Sequence, residues 1–211
     1  MPKPSGLFDE AFLIAIKTLV NVHHSIYPFV PPQGIYFESL VEQAFNRALK
    51  PYTVIEGSGR NLAGHDLLVE DKKISLKTET GRGTNLDSIS ITKLCTTERE
   101  PWDVQTLIGR VLFHLSRYDI ILMLRAIWQL PLVHYQLLEI PIDDLKLIES
   151  AEFAGVGKRK GRQSLGANVI LNERVLFRVH FDGSDGKCSI RNLKVTNCVM
   201  LQEWDTKIQL G

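Results

Sequence analysis

The chain has 211 residues, 44% hydrophobic and 23% charged, which is length and apolar content enough for one sizeable core. With 25 basic and 24 acidic residues the net charge is +1, which excludes a whole-molecule field for a nucleic acid and confines any such surface to a local patch. Three cysteines, Cys95, Cys188 and Cys198, show no CxxC spacing; they argue for reduced thiols in a cytoplasmic protein rather than a disulfide framework.

The first predicted element is an amphipathic helix over residues 6–21, with Leu7, Ala11, Ile14, Ala15 and Leu19 at helical spacing. Its apolar run is bracketed by Asp9, Glu10 and Lys17, so neither a membrane span nor an export signal is expected. His23 and His24 are adjacent, point in different directions and make no ligand pair by spacing. Pro28, Pro31 and Pro32 interrupt the helical pattern, and a second helix is expected from Phe37 to about Leu49, ending before Pro51.

Gly57, Gly59 and Gly64 then punctuate a loop. Two β-like runs, 65–69 and 73–80, form a hairpin turning at 70–72, and 88–94 reads as a third strand. Residues 102–116 carry Val104, Leu107, Ile108, Val111, Leu112 and Leu115 at helical period. The continuous apolar run at 118–127 suits a buried strand, and 133–141 is a further one. A short helix starts at Pro141 with acids in its first turn. Alternating Val175, Phe177, Val179 and Phe181, the turn DGSDG and the return KCSIRNLKV signal a closing hairpin.

This order predicts an α/β (α+β) fold with a central mixed β-sheet flanked by helices. One domain over residues 1–211 is expected, with its core at about 34–140 and a C-terminal hairpin region at about 155–211.

The chemistry sits in ISLKTET. The pleat sends Ser75, Lys77 and Glu79 to one face and Ile74, Leu76 and Thr78 to the other. Asp66, on the preceding strand of the hairpin, can meet Lys77 beside a shared sheet edge. Hydrolysis of a phosphodiester needs a metal, a water of lowered pKa and positive charge for the developing anion. Magnesium is served by one or two carboxylates plus a substrate phosphate. Asp66 is the first such ligand, Glu38 or Glu79 the second, and Lys77 steadies the water or the phosphate.

The stretches GIYFESLVEQAF, GHDLLV and ISLK together resemble the PD-(D/E)xK nuclease superfamily, which includes most type II restriction endonucleases and the Mrr-like restriction enzymes. The resemblance covers roughly residues 34–80 and implies a restriction-endonuclease-like fold, Mg2+ as cofactor, Glu38 as the helix carboxylate, Asp66 as the central metal ligand and Lys77 as the motif lysine. His65 stands where the motif has proline. Ser75 stands where it has the second acid, which leaves Glu38 or Glu79 to replace that acid, with Glu42 a weaker substitute.

DNA contact is expected from Arg82 and Asn85, directly after the catalytic strand, and from the basic cluster Lys158, Arg159, Lys160 and Arg162. Arg178, His180, Arg191, Asn192 and Lys194 lie in or beside the last hairpin, and a β-ribbon fits a major groove. Trp102, Trp128 and Trp204 read as core or interface residues and Cys95 as a buried hydrophobe. The expected function is that of a homodimeric, Mg-dependent type II restriction endonuclease cutting specific double-stranded DNA to 5′-phosphate ends. The alternatives are a structure-selective or repair nuclease of the same fold and a catalytically inactive DNA-binding module, the latter motivated by Ser75.

Overall fold

Helical spacing first yields α1 (Glu10–Ile26) and α2 (Ile35–Arg47) in the computed structural model, which describes residues 3–54, 66–97, 101–157 and 162–208. Asp9 starts α1 by accepting the Phe12 amide at 2.9 Å, one of the donors a helix leaves unpaired. The buried face of α1 is Phe12, Ala15, Ile16, Leu19 and Val20, so Ala11 and Ile14, expected inside, lie outside. The rotation puts the large Phe12 ring in the core, against Phe8 and Phe45. His24 is a core histidine whose ring pairs with the Tyr135 hydroxyl at 3.0 Å. On α2, Phe37, Val41, Ala44 and Phe45 form the buried stripe.

The central sheet has six strands in the order β1 (Thr53–Val54), β2 (Leu67–Val69), β3 (Lys72–Glu79), β5 (Ile120–Gln129), β6 (Leu132–Pro141) and β11 (Val199–Lys207). Glu70 and Asp71, with φ of 47° and 63°, make the two-residue turn between β2 and β3, because paired left-handed residues match the twist of a hairpin. β3 and β5 are parallel, whereas the other neighbours in this sheet are antiparallel. The crossover between β3 and β5 carries β4 (Ser88–Thr96) and α3 (Val104–Leu115), whose N-cap is Asp103.

β4 leaves this sheet for a second, antiparallel one in the order β4, β10 (Lys187–Lys194), β9 (Arg174–Phe181), β8 (Ser164–Leu171) and β7 (Ala154–Val156). The mixed sheet flanked by helices is thus present, with a second sheet beside it. Alternate residues of the central sheet feed two cores. Ile74, Leu76, Leu122 and Leu124 pack with α1 and α2, while Ile121, Met123, Leu138 and Ile140 pack with α3, the second sheet and the short α4 (Ile142–Lys146). Pro141 serves as the N-cap of α4.

Candidate active site

Among the described residues, β2 pairs with β3 only through Ile74, Lys73 and Lys72, and no strand of theirs lies along that edge of β3 from Leu76 onward. Asp66 fills that gap. Its own amide donates to the Ile74 carbonyl at 2.8 Å, and its carboxylate accepts the Leu76 amide at 2.6 Å. The bond replaces a missing ladder partner and fixes the carboxylate beside β3.

The same carboxylate accepts the Ser75 hydroxyl at 3.3 Å, and that hydroxyl oxygen in turn accepts the Lys77 ammonium at 2.9 Å. Lys77 also donates to the Leu76 carbonyl at 3.2 Å. Ser75, only 1% exposed, therefore links the acid to the lysine; a hydroxyl can donate to one and accept from the other.

Glu38 lies one residue past Phe37 at the margin of the buried stripe of α2, in its first turn. Burial and the negative charge of Asp66 hold its carboxyl above the usual range, Glu42 adds to the rise and Lys77 opposes it. Burial lowers the Lys77 pKa, with a smaller push from Lys93, while Asp66 and Glu38 pull the other way. Glu38, Lys77 and Lys93 meet at a cleft of about 220 Å³ lined by α2, β3 and β4.

Glu79 is placed elsewhere. It stands beside Arg125 in the parallel register, and its Oε2 accepts the Arg125 Nε at 2.7 Å while Oε1 accepts the Ser90 amide at 2.9 Å. Arg125 is fully buried and also donates to Gln136 and to the carbonyls of Asn85 and Ser88. The pair pins the β3–β4 connection rather than facing Asp66.

The sequence model of one family, described as "SmaI: Type II site-specific deoxyribonuclease", matches residues 3–206. The chain belongs to this family. The type II restriction enzyme SmaI of Serratia marcescens is 29% identical over 211 residues, covering 96% of this chain and 83% of its own. No solved structure matches. The SmaI-family chain is accordingly a type II restriction endonuclease, and its substrate is double-stranded DNA.

The expected DNA-contact residues of this SmaI-family enzyme fall in different surroundings. Arg82 is exposed on the β3–β4 connection. The Asn85 side chain accepts the amides of Asp87 and Ser88 at 3.1 and 2.9 Å, so it shapes that connection. Arg162 lies over the Trp102 ring at 4.2 Å and donates to the Gly183 carbonyl. Lys158, Arg159 and Lys160, like His65, lie outside the described residues. Lys93, His114 and Arg125 are not among the residues expected from the sequence. The Arg125 position was the most accessible of the three, since a charge inside the apolar run IILMLRAI demands a partner.

Proposed function

We propose that this enzyme cuts DNA by Mg2+-assisted water attack, in the manner of the PD-(D/E)xK nucleases, leaving 5′-phosphate and 3′-hydroxyl ends. The hydrogen-bonded chain from Asp66 through Ser75 to Lys77, whose last member lines a cleft shared with Glu38, is the observation that carries this reading.

The donor set suits a hard cation. The negative charge of Asp66 adds to the cost of ionising Glu38, a repulsion that a divalent ion relieves. Among the described residues no cluster of three or more His, Cys, Asp or Glu gathers as a closed cage, which fits an ion that keeps several waters and takes a substrate phosphate. When bound, magnesium supplies a water of lowered pKa and polarises the phosphoryl oxygen.

Asp66, held by the Leu76 amide, and Glu38 would hold the ion. Lys77, held by Ser75, presents its ammonium to the oxygen on which negative charge accumulates. The serine thus fills the second acid's place as a neutral positioning group, and Glu38 rather than Glu79 is the second acid.

Recognition is assigned to the outer face of the second sheet. Thr92 lines both the cleft and a neighbouring groove that holds His180, Arg191, Asp182 and the Lys187–Asp185 ion pair, so a polar surface runs from one to the other. Arg178 and Arg191 are exposed and directly opposed across β9 and β10, an arrangement that repels unless an anion lies over it. Arg82 and the basic cluster Lys158, Arg159, Lys160 and Arg162 add backbone contacts in the same reading. A homodimer is supported by the exposed apolar residues Tyr27, Phe29, Val30, Ile35 and Tyr36, which lie between α1 and the start of α2.

Plasmid digestion tests the proposal. Discrete fragments with 5′-phosphate ends in magnesium, and no cutting after chelation, are expected. Undiminished cutting with a chelator present would contradict it.

A further inference from the structure

β4 does not run evenly along β10. Cys188 faces Cys95 and Ile190 faces Ile91, so a step of two residues on β10 spans four on β4. An even antiparallel pair matches them one for one; the additional residues form a bulge within 92–94.

The bulge decides where Lys93 points. Ile89 and Ile91 are buried, and unbroken alternation would send Lys93 into the core behind them. An unpaired ammonium there would be costly. Instead Thr92 and Lys93 are consecutive exposed residues, followed by consecutive buried ones, Leu94 and Cys95. Lys93 is thereby turned into the cleft, across from Glu38 and Lys77. Its charge reaches Lys77, whose protonation it disfavours. Two ammonium groups on one cleft repel each other, and a phosphodiester chain lying between them removes the repulsion.

We propose that Lys93, presented by the β4 bulge, is a substrate contact that ion-pairs with a backbone phosphate of the DNA strand in the cleft. Lys77 then serves the reacting phosphate while Lys93 holds the strand from the opposite wall. This rests on the reading of the cleft as the reaction centre.

The test compares Lys93→Ala, Lys93→Arg and Asp66→Asn as full-length proteins. Single-turnover cleavage is measured in magnesium, and salt-dependent binding to the same duplex in calcium. Lys93→Ala should slow cleavage roughly tenfold or more. It should also lower the salt slope by about one while leaving the melting temperature unchanged. Lys93→Arg should keep most of the rate and the slope, since a guanidinium also pairs with phosphate. Wild-type rate and slope in Lys93→Ala, beside an inactive Asp66→Asn, would overturn the role of Lys93 alone. A fall in rate that tracks a lowered melting temperature and is not restored by arginine would make Lys93 a merely structural residue. Full activity in Asp66→Asn would instead remove the site on which the proposal rests.

Discussion

Glu79 and Arg125 occupy neighbouring positions on two parallel strands with their side chains joined at 2.7 Å, while Lys77, two residues earlier on the same face as Glu79, turns to Ser75. The strand neighbours account for the difference. Lys77 stands beside apolar Met123, whereas Glu79 stands beside a buried guanidinium that would otherwise lack a counter-charge. One face of β3 is thus divided between chemistry and architecture.

That division predicts opposite phenotypes for the two acids. Glu79→Gln or Arg125→Met should destabilise the fold by about 3–5 kcal/mol, because either leaves a buried charge without its partner. Urea unfolding reads this directly. A Glu79→Gln protein of normal stability that binds DNA but cannot cut would return Glu79 to the metal site.

Glu38→Gln should fold normally and lose cleavage. The folded-state pKa of Glu38 is raised above 4.5, so its protonated form favours folding at low pH. That contribution is lost as pH rises from 4.5 through the raised value. At neutral pH without metal, Glu38→Gln should therefore melt at or above the wild-type temperature and gain less from added magnesium. Melting curves with and without the ion check both signs; a lowered metal-free melting temperature would argue against a strained acid.

His114 gives a separate pH signature. Burial first, then the charges of Lys77, Arg117 and Arg110, depress its pKa from 6.5 to about 4. The folded form resists the proton that the unfolded chain accepts, so this stability is present above 6.5 and lost as pH falls toward about 4. His114→Gln should flatten the decline of the urea midpoint across that window. A decline as steep as the wild type's would place the acid sensitivity in other groups, such as His23 and His24, whose pKa values burial also lowers.

Ser75→Ala should slow cleavage roughly tenfold without abolishing it, since the lysine loses its positioning partner but not its charge. The change should fall on kcat with KM little altered. A wild-type kcat would show that the hydroxyl link has no part in the reaction.

Several of these features were legible in the sequence, for reasons specific to their strands. The alternation in ISLKTET gives the facing of Ser75, Lys77 and Glu79, and the apolar run gives β5, which is buried on both faces. The partnership of Glu79 with Arg125 was not legible, because it depends on a parallel register set across an intervening strand and helix. Lys93 was hidden for a related reason: alternation alone assigns it to the core, and only pairing with β10 reveals the bulge. β8, in the second sheet, and β11, at the edge of the central one, alternate poorly between buried and exposed residues, which leaves both strands without a period-two signal.

The central claim is that Asp66 and Lys77 form the reaction centre, and magnesium-dependent cleavage of duplex DNA by Asp66→Asn and Lys77→Ala measures it most directly. Both variants should remain folded, bind the duplex in calcium and fail to cut. Cleavage at the wild-type rate by either one would contradict the assignment.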